Sequence, residues 1–461
     1  MARIDTIDTK EFTPWPPGGL LVGGAVRDRL LGRTPGDLDW LVSDPRAAAR
    51  ALAAHFGAPV FALDEDRGHW RVLVAGDGGR VVHDFVPYRQ RGGTEVGGED
   101  VDGSDELLAD LERRDLTINA IALRQSGELV DPTGGVDDLR AGIVRMTSLA
   151  SLRADPLRPL RAVRFAGHLG FALADETSTA VAEQARAQGR DEARRPAAER
   201  VRDEFSAILT GTTAAPTLAL AAELGLLATF LPELDATRGV RQGPLHHLDV
   251  FEHSLEALQR LTIAFPASGL ALRLATLLHD VGKPVTIGSH WTGRPTFYSH
   301  DAVGAELTSN ALRRLRFPGD VVASAGSLVR KHMTPLPRSE KSARRFVHRH
   351  RAILPDLLRL MIADREAARG RRASEAGRRA YRLDMGRVIA ILEEAPPPAR
   401  LFTGDEVMAL LGLQPGPKVG EALALLDEAL AVGDVQGRED AGAYLQRYAA
   451  AQGWQRADQG E

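Results

Sequence analysis

A change of hydrophobic periodicity near Arg145 constrains the fold more than any other feature of this sequence. Before it, short apolar runs typical of strands, such as 37–43 and 80–88, alternate with amphipathic segments. After it, and from Asp155 up to about residue 450, apolar residues recur at every third or fourth position and strand-like runs are scarce. The pattern predicts an α+β fold, in which a mixed sheet with helices is followed by an all-α body.

Composition excludes several functional classes. The 461 residues include 58 Lys and Arg against 62 Asp and Glu, so the chain is not a uniformly basic nucleic-acid coat, although a local patch is allowed. There is no Cys, which excludes disulfides, thiolate metal sites and a Cys nucleophile. The sequence has no signal-peptide layout and no apolar run of about 18 residues, so we expect a cytoplasmic enzyme without a membrane partner.

Two aspartates, Asp37 and Asp39, lie two residues apart in the predicted strand 37–43. Because alternate residues of a strand point to the same side, both carboxylates face one space. Converging oxygen donors of this kind suit Mg²⁺ bound to substrate phosphates. Asp84, in the predicted strand 80–88, is placed to supply a third carboxylate from a neighbouring strand. Such a trio indicates metal-assisted nucleotidyl transfer.

An anion cradle is predicted just upstream of these aspartates. Gly23 and Gly24 lack Cβ atoms and precede an amphipathic helix whose first turn carries Arg27. Free backbone N–H groups, the helix N-terminus and the guanidinium together favour a bound phosphate.

Five ordered segments resemble the motifs of the class II tRNA nucleotidyltransferase and poly(A) polymerase family, which belongs to the DNA polymerase β superfamily. They are LVGGAVRDRLLGRTPGDLDW (21–40), RRDLTINAIAL (113–123), VDPTGGVDDLRAGIVR (130–145), DPLRPLRAVRF (155–165) and ERVRDEF (199–205). The resemblance implies a polymerase-β-like palm in which Asp37 and Asp39 carry the catalytic metals. It also implies that four residues of the second motif hold ribose and phosphates, namely Arg113, Arg114, Asp115 and Asn119.

Asp155 and Arg158 are three residues apart, which predicts that they share one face of a helix. An acceptor beside a fork of donors matches the Watson–Crick edges of C and A and mispairs with U and G. Two unsatisfied groups would give roughly 30-fold to 10⁴-fold discrimination. The family resemblance implies this template role, although Ala154 stands where the family commonly has Glu. Arg161 and Arg164, further along the same helix, are candidates to meet the triphosphate.

Six ligand-type residues follow in the middle of the chain: His253, His279, Asp280, His300, His332 and Asp364. Four imidazoles and two carboxylates can hold one or two divalent transition metals. The pattern resembles the HD metal-dependent phosphohydrolase domain, which implies phosphatase or 2′,3′-cyclic phosphodiesterase activity. The alternative is a bundle that keeps the fold and has lost turnover.

A local excess of positive charge follows the HD residues. Residues 341–387 contain 14 Lys and Arg against 5 Asp and Glu, and this excess predicts contact with an RNA backbone. Segment 401–423 resembles the tail motif of HD-bearing family members and is predicted to approach tRNA phosphates.

The predicted domains are a nucleotidyltransferase head (1–145), a neck with the nucleotide template (146–235), an HD bundle (236–390) and a helical tail that contacts tRNA (391–461). The predicted function is addition of CCA, or part of it, to tRNA 3′ ends from CTP and ATP, with Mg²⁺ at the head. The alternatives are a CC-adding or A-adding enzyme, a poly(A) polymerase, an HD phosphohydrolase with an inactive head, and a non-catalytic RNA-binding protein. No protein partner is inferred.

Overall fold

The computed structural model describes residues 7–12, 14–76, 79–87, 105–243, 247–368, 375–394 and 400–454. The chain divides into two compact units. The first comprises Met1–Ala236 with Ala311–Phe317, and the second comprises Thr237–Asn310 with Pro318–Glu461.

The first unit contains a mixed seven-stranded sheet in the order β3-β4-β5-β2-β1-β6-β7. Its strands are β1 (Leu20–Val22), β2 (Asp37–Val42), β3 (Val60–Asp64), β4 (His69–Gly76), β5 (Gly79–Pro87), β6 (Ala122–Leu123) and β7 (Leu129–Val130). Strands β2 and β5 are parallel, and the other neighbours are antiparallel.

Eleven helices, among the residues described, accompany this sheet. They are α1 (Gly24–Leu30), α2 (Pro45–Phe56), α3 (Asp105–Glu112), α4 (Gly135–Ala141), α5 (Leu149–Ala154), α6 (Arg158–Leu169), α7 (Asp175–Arg190), α8 (Ala198–Thr210), α9 (Ala214–Glu223), α10 (Leu227–Phe230) and α11 (Pro232–Asp235). Two short strands, β8 (Ile143–Val144) and β9 (Ala172–Leu173), form a parallel pair, and 3₁₀ turns occur at Lys10–Phe12, Thr117–Asn119 and Glu192–Arg194. One core joins side chains of the sheet to those of α6, because Trp40, Phe85 and Val163 are all fully buried in the same cluster.

The second unit is helical. Its elements are α12 (Val250–Ala264), α13 (Leu270–Leu278), α14 (Lys283–Thr286), β10 (Gly288–Ser289), β11 (Pro295–Thr296), α15 (His300–Arg314, grouped with the first unit from Ala311), α16 (Gly319–Lys331), α17 (Glu340–His350), a 3₁₀ turn (Arg351–Ile353), α18 (Asp356–Ala367), α19 (Glu375–Glu393), α20 (Gly404–Leu411), α21 (Pro417–Ala431) and α22 (Arg438–Ala451). Helices α20 to α22 enclose a separate small core around Val407, Leu426 and Leu445. None of the described helices is long and apolar enough to cross a membrane.

The predicted α+β class is confirmed, and so are the strands at 37–43 and 80–88. The expectation of few strands after residue 155 holds for the described residues except for β9, β10 and β11, which have two residues each. Segment 91–106 is acidic and Gly-rich, a composition that predicts a loop, and it lies mostly outside the described residues. Its last two residues begin α3.

Helices α6 and α9 approach closely at Gly167. A Cβ atom at this position would lie 1.8 Å from Thr217 Oγ1. The Thr217 hydroxyl donates a hydrogen bond to the Thr213 carbonyl at 2.7 Å, so it is not free to swing away. Gly167 is therefore required by packing rather than by backbone conformation.

We expect Gly167→Ala to lower the thermal unfolding midpoint of the first unit by roughly 2–12 °C, because overpacking a core typically costs about 1–3 kcal/mol. Gly189→Ala is the matched control, because an added Cβ in α7 meets no atom within 4 Å. The control should leave the midpoint unchanged or raise it slightly. Equal midpoints for the two variants in circular dichroism melts would contradict the packing argument.

Candidate functional site

The three aspartates predicted for the head lie on one face of the sheet. Strand β2 alternates, with Leu38 and Trp40 buried and Asp37 and Asp39 turned the other way. Strand β5 pairs with β2 in a register that sets Asp84 directly opposite Asp39. Residues opposite each other in a sheet share a face, so Asp84 joins the other two carboxylates.

The carboxylates are crowded by like charge. Burial raises the pKa of Asp39, and the neighbouring Asp84 and Asp37 raise it further, while Arg114 opposes the shift. Asp84 has a cation of its own, because Arg71 of β4 donates to both of its oxygens at 2.7 Å. Sequence reasoning missed Arg71, since only the β4–β5 register reveals that it faces Asp84.

The two glycines lie at the start of α1, where Gly23 is the residue before the helix and Gly24 its first residue, and both allow close packing. Gly23 has a φ of +71°, and a Cβ there would lie 2.9 Å from Arg114 Nη1 and 3.7 Å from Asp39 Oδ2. Gly24 begins α1, and its missing Cβ faces the guanidinium of Arg27 at 3.5 Å. The turn therefore lets Arg114 approach Asp39. Arg27 is buried and donates to Asn119 Oδ1 at 2.6 Å.

Asp115 and Asn119 lie inside a hydrogen-bond network rather than on a surface. Asn119 Nδ2 donates to Asp115 Oδ1 at 3.3 Å, and Arg161 Nε donates to Asp115 Oδ2 at 2.7 Å. Arg161 and Arg164 both also bind Glu204 of α8. Burial alone would raise the pKa of Asp115, but Arg161 and Asn119 outweigh it and lower that pKa. Arg161 and Arg164, predicted as candidate triphosphate contacts, are here engaged by carboxylates.

A cleft of about 580 Å³ opens on the carboxylate face. Leu41 and Val86 contribute to its lining, and they follow Asp39 and Asp84 by two residues on their strands, hence on the same face. Three of the predicted nucleotide-binding cations also line it: Arg113, Arg114 and Arg158. The cleft is large enough for a nucleotide.

The prediction that Asp155 and Arg158 share a helix face is wrong. Helix α5 ends at Ala154, Asp155 has an extended backbone, and α6 begins only at Arg158. Both oxygens of Asp155 accept from Arg200 of α8, at 3.0 and 2.6 Å. Arg158 donates instead to the carbonyl oxygen of Ser151 at 2.7 Å and to its hydroxyl. Pro156 follows Asp155, and a residue before proline disfavours the α conformation.

Asp155 is kept ionised by its neighbours. Burial alone would raise its pKa, but the hydrogen bonds from Arg200 and from the Leu157 amide outweigh burial and lower it. Asp155 is thus an acceptor at neutral pH.

All six predicted ligands of the HD cluster come together in the second unit. They form two sets, in each of which the potential ligand atoms lie within 4.8 Å of one another: His253, His279 and Asp364, and Asp280, His300 and His332. Asp280 links the sets, because its oxygens lie 3.2 Å from His279 Nε2 and 3.4 Å from His300 Nε2.

The imidazoles of His279, His300 and His332 are oriented like metal ligands. Each bonds through Nδ1 to the carbonyl oxygen three residues earlier, at 2.8, 2.7 and 2.6 Å. That bond assigns the proton to Nδ1 and leaves Nε2 as an acceptor. Within the described part of the chain, these buried Nε2 atoms find no hydrogen-bond partner. Burial, together with the charge of His279, lowers the pKa of His332 to about 4, so this imidazole is neutral at physiological pH.

Lys283 and Gly282 complete the surroundings of the cluster. Lys283 Nζ donates to Asp280 Oδ2 at 2.5 Å and to Gln242 Oε1 at 2.6 Å. Although burial alone would raise the pKa of Asp280, His279 and Lys283 hold it well below its usual value. A Cβ at Gly282 would lie 2.2 Å from the carbonyl oxygen of His300, so only glycine lets the two backbone segments approach this closely.

The basic segment 341–387 is partly neutralised by the tail. Arg345 and Arg349 of α17 both bind Glu428 of α21, and Lys341 binds Asp434. Part of the predicted RNA-binding charge therefore holds helices of the second unit together. Contact of the tail with tRNA stays a prediction.

Three sequence families match the chain. Residues 20–145 match the family described as "Poly A polymerase head domain", 170–237 match "Probable RNA and SrmB- binding site of polymerase A", and 250–369 match "HD domain". The carboxylate face lies in the first match and the histidine cluster in the last.

Full-length relatives are similar along nearly the whole chain. The A-adding tRNA nucleotidyltransferase of Deinococcus radiodurans is 52% identical over 440 residues, which is 95% of this chain and 96% of that protein. The CC-adding tRNA nucleotidyltransferase of Thermus thermophilus is 42% identical over 432 residues, 93% of each chain. The crystal structure of the Bacillus stearothermophilus CCA-adding enzyme in complex with CTP aligns with a TM-score of 0.64 at 26% identity, covering 94% of each chain.

Proposed function

Since the chain belongs to the class II tRNA nucleotidyltransferase and poly(A) polymerase family with an HD domain, we propose that it extends tRNA 3′ ends with nucleotides from triphosphates and releases pyrophosphate. The observation that carries this proposal is the shared face of Asp37, Asp39 and Asp84 beside a nucleotide-sized cleft. Of the two activities named for the most similar relatives described above, the 52% identity favours addition of A alone.

The carboxylate face fits divalent cations, for which we propose Mg²⁺. Three carboxylates on adjacent strands repel one another, and burial, with this repulsion as a lesser cause, raises the pKa of Asp39. Asp37 and Asp39 would hold the ions, with Asp84 as a third donor once Arg71 releases an oxygen. When bound, such ions activate the attacking 3′-hydroxyl and stabilise the charge on the triphosphate.

The remaining residues of the proposed head site bind and orient. Arg113 and Arg114 present cations to the cleft, where triphosphate oxygens and ribose would lie. Asn119 positions Arg114 through its backbone carbonyl and Arg27 through Oδ1, and Asp115 positions Arg161, so both residues act from inside the buried network instead of contacting the nucleotide themselves. Arg158, which lines the cleft, would offer donors to the ring nitrogen of the base, and Asp155 would accept from its amino group once Arg200 releases one carboxylate oxygen.

A second activity is proposed for the HD cluster: a metal-dependent phosphohydrolase. Its support is the set of three Nδ1-anchored imidazoles whose buried Nε2 atoms have no hydrogen-bond partner in the described residues. Lone pairs of this kind suit a transition metal, and Lys283 supplies a cation beside it.

The first test is the substrate of addition. Transcripts of one tRNA ending at the discriminator base, at C, at CC and at CCA are incubated with the purified chain, Mg²⁺ and each nucleoside triphosphate. We expect A to be added to the CC end, and no C to be added to the discriminator end, on sequencing gels. Addition of C would contradict A-only activity and retain tRNA nucleotidyl transfer, whereas long A tails would indicate a poly(A) polymerase.

Removing either metal-binding carboxylate should stop addition. We expect Asp37→Asn and Asp39→Asn each to lower kcat by at least about 10²-fold, because metal stabilisation of the transferring phosphate supplies several kcal/mol. Asp66→Asn, an exposed aspartate on the turn after β3, is the control and should retain full activity. Normal rates in either site variant would refute the assignment.

Removing an HD ligand should affect metal content and phosphohydrolase activity only. We expect His279→Ala to lose bound transition metal in elemental analysis, and to lose the rise in thermal midpoint that Mn²⁺ or Ni²⁺ produces in the parent protein. It should also lose hydrolysis of 2′,3′-cyclic AMP and still add nucleotides to tRNA. His55→Ala, an exposed histidine of α2, is the control. Unchanged metal content in His279→Ala would contradict the proposed site.

A further inference from the structure

Large apolar side chains are unusually exposed on one segment of the second unit, 285–298. Among the described residues, eleven large hydrophobic side chains are exposed, and four of them fall in these fourteen positions. Trp291 is 89% exposed and Tyr298 is 79% exposed, the two highest values in the set. By contrast, Trp15 and Trp40 are buried. A group of large apolar side chains this strongly exposed to solvent is typical of a binding surface.

A tight turn displays Trp291 at its tip. Strands β10 and β11 pair antiparallel, and the Gly293 amide donates to the His290 carbonyl at 2.8 Å. His290 Nδ1 also accepts from the Thr292 amide at 3.2 Å. The turn is therefore internally bonded, and the exposure of Trp291 follows from its position between the bonded residues.

Both ends of this segment are attached to the HD cluster. At the start, Lys283 binds Asp280. At the end, the Phe297 carbonyl accepts from His300 Nδ1 at 2.7 Å, and Lys283 Nζ lies 5.6 Å from the centre of the Phe297 ring. Tyr298 is two residues from His300, and Trp291 is six residues from Phe297, at most about 22 Å along an extended chain.

The charge of the segment suits an anionic polymer. Between Asp280 and Asp301 the sequence contains no carboxylate, and Arg294 places an exposed cation between Trp291 and Tyr298. Exposed aromatic rings beside a cation are a pattern by which proteins bind single-stranded nucleic acid, because every base can stack on a ring face.

We propose that segment 285–298 binds the last few nucleotides of a single-stranded RNA end, with bases stacked on Trp291 and Tyr298 and the terminal phosphate directed to the HD cluster. The inference rests on the proposed phosphohydrolase function, to which it adds a substrate class: an RNA terminus rather than a free mononucleotide.

The test is RNA binding by the full chain, measured with a fluorescein-labelled hexa-adenylate that carries a 3′-phosphate, in EDTA to prevent hydrolysis. We expect Trp291→Ala and Tyr298→Ala each to raise the Kd about 5- to 100-fold, as loss of one stacked base implies. Trp291→Phe should recover most of the affinity because it keeps a ring face. Ile287→Ala, a matched exposed apolar residue, should leave the Kd unchanged.

A second measurement locates the RNA independently of other RNA-binding surfaces. A 4-thiouridine oligonucleotide with a 3′-phosphate, crosslinked by light and digested with protease, should label the peptide that contains Trp291. Labels confined to other peptides, or a Kd for Trp291→Ala within twofold of the parent value, would overturn the inference. A dimer in analytical ultracentrifugation that Trp291→Ala dissociates would also overturn it, since the segment would then bind a second copy.

Nucleotide addition to tRNA serves as the internal reference. It should be unchanged in Trp291→Ala and Tyr298→Ala, so a loss of RNA binding is separable from failure of the head. Ring-dependent binding in a parent protein that fails to hydrolyse a 2′,3′-cyclic phosphate would refute the phosphohydrolase and leave the RNA surface standing.

Discussion

The hydrogen-bonded register between β2 and β5 is the constraint on which the proposed head site depends. It sets Asp84 opposite Asp39 on the face that also carries Asp37. A slip of one residue would turn Asp84 into the core and bring His83 and Phe85 to the carboxylate face. Buried Trp40 and Phe85, paired across the same two strands on the opposite face, make that slip costly and so hold the carboxylates in place.

The two candidate centres differ in the charge and type of their donor groups. On the sheet, negative charges crowd together, and Arg71 and Arg114 compensate only part of that charge. In the second unit, imidazoles converge around Asp280, which already has Lys283 as its cation. A hard cation suits the first arrangement and a softer, nitrogen-preferring ion suits the second. The difference in donors therefore separates the two proposed metals without reference to sequence similarity.

Much of this architecture could be predicted from sequence, and the failures have two causes. The strand carrying Asp37 and Asp39 follows from local alternation, and the six HD residues from their recurrence on amphipathic helices. The helix predicted across Asp155 and Arg158 does not exist, because Pro156 interrupts it. The prediction used only the spacing of the two residues and did not take the proline into account. Arg71 and Arg200 bind their aspartates across long sequence separations, through strand pairing and helix packing that no local pattern encodes.

Gly282 carries a consequence for how this sequence can vary. The absent Cβ makes room for the backbone of a proposed metal ligand, His300. The geometry of the cluster therefore depends on the lack of a side chain at a residue that is not itself a ligand. Any coding change at that codon adds at least one carbon and forces the ligand-bearing helix to shift. Substitutions at position 282 should therefore be selected against for as long as selection maintains the second centre. A homologue that had abandoned that centre would be free to lose this glycine while keeping its head intact.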